Sequence, residues 1–345
     1  MIDCKRTDIV TGPPKPCALV TGASGFIGGH LAEALVYRGW RVKVLVRDAG
    51  RLLPTLRDRC AVVVGNLIAS DTLAGAVRDV DIIFHCAANV NTWDVWDAYH
   101  SVNVTGVQNL LEAVGRYNPG LSRFMHLSTV DVYGFPKEPC DESCETPRSG
   151  FGYGDSKLLG EAVVRKFAQS YGIPYTIVRP TNVIGSGSQF IVRIGAAYES
   201  GMMLTIDGGR INAGMLYVGN LVDHLVWAAQ ADMARDRCYN VRDPYEVTWA
   251  DFLAVFRNGA GCGGRTVDLP FGIAETVATG LETFHRLFLP RREPRLHRLI
   301  VRTFGRTCGH SAARIHADRG AAPVVGFDEA MKQSLQWYRE VRACK

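Results

Sequence analysis

The chain has none of the patterns that would make it a metal or disulfide scaffold. Its 345 residues hold ten cysteines, but they are scattered and no CxxC pair occurs. The closest spacing, Cys140 and Cys144, falls in a stretch rich in Pro, Asp and Glu. A zinc site and a disulfide framework are both disfavoured, and Cys86, after an apolar run, reads as a small core residue. No run is long and apolar enough to span a bilayer; the best, residues 270–289, carries Glu275, Glu282, His285 and Arg286. The first fifteen residues lack the apolar core of a signal peptide and read as a flexible leader before the first strand. There is no internal repeat and no low-complexity linker. The net charge of +5 demands no nucleic acid partner but suits an anionic cofactor. With 47% apolar residues, one large core or two smaller ones can form, in a reducing cytoplasmic setting.

What is present is alternation. CALVTG (17–22), WRVKVLVR (40–47), AVVVGN (61–66), DIIFHCAA (81–88), SRFMHLST (122–129) and PYTIVRP (174–180) are short apolar runs with the length of buried strands. Helical stretches lie between them; the first places Leu31, Leu35 and Val36 on one face and ends at Gly39. Such a series implies βαβ units, a doubly wound parallel sheet of the Rossmann type, and ligands beyond the carboxyl ends of the strands. After Gly185 the alternation breaks up: 216–230 reads as a strand running into a helix and CYNVRD (238–243) as a strand. From about residue 245 the chain is irregular and mostly helical. The expected division is a nucleotide-binding domain of 16–184 plus about 214–243, and a smaller helical lobe for substrate of about 185–213 plus 244–345.

TGASGFIGGH at 21–30 spaces glycines at 22, 25 and 28 between a strand and a helix. Gly22 permits the tight turn, Gly25 lets a pyrophosphate approach the backbone, and Gly28 lets helix and strand pack closely. The helix N-terminus then offers free N–H groups to phosphates, with Ser24, Phe26 and Ile27 around it. An acidic residue at the end of the second strand would bind the ribose 2′-hydroxyl of NAD. Here Val46 holds that place, followed by Arg47, which can pair with a 2′-phosphate. NADP(H) is therefore the expected cofactor; Asp48 keeps NAD(H) open. Asn66 and Leu67 should border the adenine, and Ala87 and Ala88 the cofactor's other side.

Downstream, FGYGDSK places Tyr153 and Lys157 at i, i+4, on one helix face. A free phenol has a pKa of about 10, too high for acid–base work near neutrality; a neighbouring ammonium favours the phenolate. Tyr153 can then protonate a carbonyl oxygen or deprotonate an alcohol. The bland alternative is an ordinary amphipathic helix. HLSTVDVYG at 126–134 supplies a hydroxyl at a strand's carboxyl end, either Ser128 or Thr129, since only one of the two can face the site.

Taken together, TGASGFIG, HCAA (85–88), NVTG (103–106), STVDVYG (128–134), YGDSK (153–157), RPTNVIG (179–185) and YVGNLVDH (217–224) resemble the extended short-chain dehydrogenase/reductases, the NAD(P)-dependent epimerase/dehydratase superfamily. The resemblance selects Thr129 as the catalytic hydroxyl, gives Asn103 a supporting role through a water leading to Lys157 (a helix cap being the alternative), and sets Pro180, Asn182 and Val183 beside the nicotinamide. It also implies a homodimer. Two departures bear on the reaction. Sugar-nucleotide members carry an Arg-Asp pair before the YV segment, where this chain has Ala213 and Gly214, with Arg210 out of register. Dehydratases follow the threonine with Asp-Glu, where this chain has Val130 and Asp131.

What remains resembles the 3β-hydroxysteroid dehydrogenase and dihydroflavonol reductase branch, which implies a ketone or secondary alcohol on a largely apolar small molecule. Its expected pocket includes Asn89, Val90, Trp93, Thr129, Tyr153 and Asn182. A sugar epimerase or dehydratase is the first alternative and a non-catalytic NADP-sensing protein the second. RLFLPRREPRLHRLIVRTFGR (286–306) is basic and interspersed with apolar residues; it reads as a lid over the site, an interfacial segment being the other possibility.

Overall fold

The computed structural model describes residues 15–290, 292–320 and 324–343; the greater part of the expected leader lies outside them. Six strands come first: β1 (Cys17–Thr21), β2 (Arg41–Val46), β3 (Ala61–Val64), β4 (Ile82–His85), β5 (Arg123–Leu127) and β6 (Tyr175–Pro180). Three short ones follow, β7 (Asn182–Ile184), β8 (Met202–Ile206) and β9 (Met215–Tyr217), then β10 (Arg237–Val241) and β11 (Arg265–Leu269). Seven of them form one parallel sheet in the order β10-β6-β5-β4-β1-β2-β3. The chain winds outward from β1 to β3, then restarts at β4 and winds the other way. The crevice between β1 and β4 is thus the switch point where ligands bind in such sheets.

Strand alternation explains both cores. Ala18 and Val20 point into one cluster with Leu31 and Leu35 of the helix Phe26–Tyr37 and Leu221 and Leu225 of Val218–Gln230. Cys17 and Leu19 point into the other, against Leu110 and Val114 of Gly106–Tyr117 and Val164 of Gly152–Tyr171. A third cluster centres on fully buried Trp249 and Phe252, with five helices around it: Gln189–Glu199, Trp249–Ala260, Phe271–Phe288, Arg298–Gly305 and Phe327–Ala343. This is the smaller lobe, and it contains the parallel strand pair β8·β11; the pair β7·β9 is shared, with Ile184 and Met215 in the lobe and Val183 and Leu216 on the main core. One piece of the span expected for the lobe packs elsewhere. Helix Ala313–Arg319 covers the edge strand β10, with Ile315 in the main core, Arg314 donating to the Cys238 carbonyl and Tyr239 bonded to Asp318.

A buried polar network joins the elements beneath the switch point. Arg179 of β6 makes a forked pair with Glu161, at 2.8 and 2.6 Å. Glu161 also accepts from Ser128 Oγ at 2.7 Å and Arg165 at 2.9 Å. Arg179 reaches the Tyr133 hydroxyl at 2.8 Å, and that hydroxyl donates to Asn240 of β10 at 2.9 Å. Removing one member leaves an uncompensated charge in the interior. Arg179→Met is expected to lose about 3–5 kcal/mol of unfolding free energy, and adding Glu161→Leu should recover most of it; denaturant melts of the three proteins check this.

Candidate active site

The glycine turn is sterically dictated. Gly22 has φ +75°, and a Cβ there would lie 2.8 Å from the Ala87 backbone nitrogen. A Cβ on Gly28 would come within 2.4 Å of the Gly22 carbonyl oxygen. Gly25 is less constrained on the protein side, with 3.2 Å to the same oxygen; its smallness clears space on the outer side. Helix Phe26–Tyr37 begins at Gly25 with no side-chain cap and no acid in its first turn. Uncapped N–H groups facing the switch point fit a pyrophosphate. Ser24 is exposed there, Ile27 packs on the core, and Phe26 lies against the Gly185 and Gly187 loop. The Thr21 hydroxyl accepts from the Ala87 N–H at 3.2 Å, tying the glycine turn to the end of β4, where Ala88 follows.

At the end of β2, Arg47 is exposed, while Asp48 accepts a hydrogen bond from the Gly50 N–H and caps a local turn. Asn66 turns back on Ile68 and Thr72. Leu67 is buried in the core, and its carbonyl accepts from Asn109.

Tyr153 and Thr129 come together beyond β5, and Lys157 bonds to the end of that strand. Ser128 and Thr129 point opposite ways, and the Ser128 hydroxyl is held by Glu161, so Thr129 faces the site. Thr129, only 7% exposed, accepts from the Asp131 N–H at 3.2 Å. Lys157 is 2% exposed and donates to the Leu127 carbonyl. Burial pulls its pKa down to about 8, against the pull of Glu161 and Cys86. Tyr153 is half-buried. Burial pushes its phenol pKa up, the Asp131 carboxylate adds to that, and the Thr129 hydroxyl bonding to it pulls the other way. Without a cofactor the phenol is therefore neutral. Burial also raises Asp131, to about 6.

Asn103 sits in a widened helical turn, Ser101–Thr105. Its side-chain oxygen accepts from the Asn89 N–H at 2.7 Å; its amide donates to the Asn89 carbonyl at 3.0 Å and to Ser156 Oγ at 2.9 Å. It caps no helix; it clamps the 89–94 loop to the catalytic helix. Asn89 in turn donates to Asp94. Pro180 ends β6 in the interior, Val183 packs on the main core, and Asn182 donates to the Ala213 carbonyl at 2.7 Å.

A narrow cleft, with a cavity volume of only about 20 Å³, borders Tyr153 and is lined among others by Trp93, Tyr99, Phe151, Arg286 and His297. Trp93 donates to the Pro290 carbonyl at 3.0 Å and lies under the Arg286 guanidinium, 4.9 Å from its ring centre. Thr92 and Glu293 bond across the same seam. Of the residues expected to line the cleft, Trp93 and Tyr153 do; Val90 is exposed, and neither it nor Asn89, Thr129 or Asn182 is among the lining residues. From the basic stretch, Arg286 near the end of one helix and His297 and Leu299 at the start of a second line this cleft. A wider hollow between Tyr198 and Arg342 contains none of these residues.

The model of the NAD dependent epimerase/dehydratase family matches residues 18–241. The chain belongs to that family. Among its relatives is a 4-hydroxy-2-methyl-3-oxo-4-farnesyl-3,4-dihydroquinoline-1-oxide ketoreductase from Stigmatella aurantiaca, 28% identical over 83% of this chain and 86% of that one. A 3 beta-hydroxysteroid dehydrogenase/Delta 5→4-isomerase from Mycobacterium tuberculosis is 28% identical over 93% and 90%. A UDP-glucuronic acid 4-epimerase from Bacillus cereus, solved with UDP-glucuronic acid and NAD, superposes with a TM-score of 0.75 at 20% identity over 94% and 99% of the two chains. That likeness shows the fold. The protein is thus an extended short-chain dehydrogenase/reductase, an NAD(P)-dependent oxidoreductase.

Part of the far lip was legible in sequence: Phe151 lies in the FGYGDSK segment, and Arg286, His297 and Leu299 belong to the basic stretch read as a lid, whereas Tyr99 comes from a segment with no motif of its own. Asp131 is a carboxylate two residues past Thr129, and its charge adds to the rise of the Tyr153 phenol pKa. The buried ammonium has a stability signature. Because the folded pKa of Lys157 is lowered from 10.5 to about 8, its charge costs stability below pH 8 and that cost is relieved between pH 8 and 10.5. Lys157→Met should melt a few degrees higher than the parent at pH 7, with the gap shrinking toward pH 10; calorimetry across that range checks both points.

Proposed function

We propose that the protein is an NADP(H)-dependent ketoreductase, or secondary-alcohol dehydrogenase in reverse, acting on a largely apolar small molecule. The observation that carries this reading is that Tyr153, bonded to the Thr129 hydroxyl, borders a narrow cleft whose other walls include Trp93, Tyr99 and Phe151. The place where sugar-nucleotide enzymes are expected to hold an arginine supports it. Ala213 is fully buried, and Gly214 (φ +58°) sits where a Cβ would come within 2.1 Å of the Cys308 carbonyl oxygen. A diphosphate-binding side chain has no room there, and Arg210 is exposed beside Gly208. The two ketone- and steroid-named relatives agree with an apolar substrate.

The glycine turn and uncapped helix hold the cofactor's diphosphate, and the nicotinamide supplies or accepts the hydride at the substrate carbon. In reduction, Thr129 orients the carbonyl oxygen and Tyr153 gives it a proton. The phenolate left behind is stabilised by the Lys157 ammonium, so charge is met by a preplaced group. Asn103 holds the 89–94 wall of the pocket against the catalytic helix. Arg47 is unopposed by an acid because Asp48 is engaged by its own turn, which favours the 2′-phosphate.

Tyr153→Phe is expected to lower kcat by at least about a thousandfold while NADPH affinity, read by fluorescence titration, stays within a few fold; normal turnover would refute the assignment. The kcat/KM for ketone reduction should fall as pH rises past about 8, where Lys157 loses its proton. Arg47→Ala should raise KM for NADPH about tenfold and leave NADH nearly unchanged; equal effects on both would remove the NADP preference.

A further inference from the structure

The helix that borders the pocket, Phe271–Phe288, has an outer face that no described residue covers. Ten of the eighteen large apolar side chains exposed among the described residues lie in two segments: seven between 273 and 289, three between 90 and 96. These segments meet at Trp93 and Pro290, on the rim of the substrate pocket. On the helix, Ile273, Val277, Leu281, Phe284 and Phe288 recur at helical spacing over about 22 Å.

The polar groups of this helix are turned away or satisfied internally. Glu275 pairs inward with Arg302 and Glu282 with Arg298. The hydroxyls of Thr276, Thr279 and Thr283 each donate to the carbonyl four residues back, leaving their methyl groups outward. At the helix's carboxyl end the face turns basic, with Arg292 and Arg295 exposed. The acid between them, Glu293, is already engaged by Thr92, Arg193 and His297. An apolar face bordered by arginines matches the boundary between acyl chains and anionic headgroups. A second copy packed on this face would bring the arginines no free carboxylate, since both glutamates of the helix are paired inward. Among the described residues no helix is long and apolar enough to cross a membrane, so the helix would lie along the surface.

We propose that the outer face of Phe271–Phe288, with Arg292 and Arg295, docks the protein on an anionic lipid bilayer. The pocket rim then meets the acyl region. The docking does not depend on the ketoreductase reading; only direct uptake of an apolar substrate from the bilayer does.

The test is co-sedimentation of the full chain with phosphatidylglycerol–phosphatidylcholine vesicles and with phosphatidylcholine vesicles. Binding to the anionic vesicles is expected to be at least about tenfold tighter and to weaken in about 0.5 M salt. The triple variant Phe284→Ser, Leu287→Ser, Phe288→Ser should bind at least tenfold more weakly, and Arg292→Ala with Arg295→Ala should lose the preference for anionic lipid. Both variants should keep the parent's melting temperature and NADPH affinity. A parent protein that stays in the supernatant with both vesicles overturns the proposal, as does a triple variant that binds like the parent. So does a dimer, seen by sedimentation velocity without lipid, that the triple variant dissolves, because the occupant is then a second copy.

Discussion

A positive charge buried without a dedicated counter-ion organises the centre of this protein. Lys157 lies in the interior below the carboxyl ends of β4 and β5, held by the Leu127 carbonyl. Its surroundings accommodate it by staying neutral. His85 and His126 stack face to face at 5.6 Å, and burial and the nearby ammonium hold both far below the usual imidazole range. Burial likewise pushes the Cys86 thiol up to about 12. The nearest acid, Glu161, is one helical turn away but is taken by Arg179, Arg165 and Ser128. An ammonium in that setting is costly at rest and most useful when a phenolate forms beside it.

The same network that withholds Glu161 from Lys157 also determines which hydroxyl is free of it. By holding Ser128 it turns Thr129 toward Tyr153. Through Arg179 and Tyr133 it locks the end of β5 to β6 and β10. Rigidity at the sheet's edge keeps three chemical groups in register. The opposite wall of the site is built from long-range contacts: the Trp93 loop, anchored by Asn103, meets the end of helix Phe271–Phe288. The chemistry sits on the rigid layer and the substrate selection on the applied one.

This division also explains what could be read in the sequence. The parallel sheet was legible because its strands are local apolar runs joined by short crossovers, and the glycine turn because Gly22 and Gly28 have no steric substitute. Tyr153 and Lys157 were legible because a helix fixes their spacing. Local pattern left the choice between Ser128 and Thr129 open and only the family resemblance favoured Thr129, because physically it rests on Glu161, 33 residues on. Strands β8 and β11 pair across about sixty residues of intervening chain, which no periodicity reveals. Helix Ala313–Arg319 covers β10 although it follows the lobe in sequence. Asn103 was expected to lead to Lys157 through water, and its direct partners are the Asn89 peptide and Ser156. A one-residue motif gives its position and leaves its bonds open.

The most direct measurement is the fate of the hydrogen on C4 of the reduced cofactor. NADPH carrying deuterium at one C4 face would be turned over with an apolar ketone, and the alcohol examined by NMR and mass spectrometry. One deuterium per molecule at the new carbinol carbon, from one face only, with matching NADP⁺ release, is the expected result. Deuterium absent from the product, or returned to the cofactor without net oxidation, would contradict a site built for one-way transfer between cofactor and ketone.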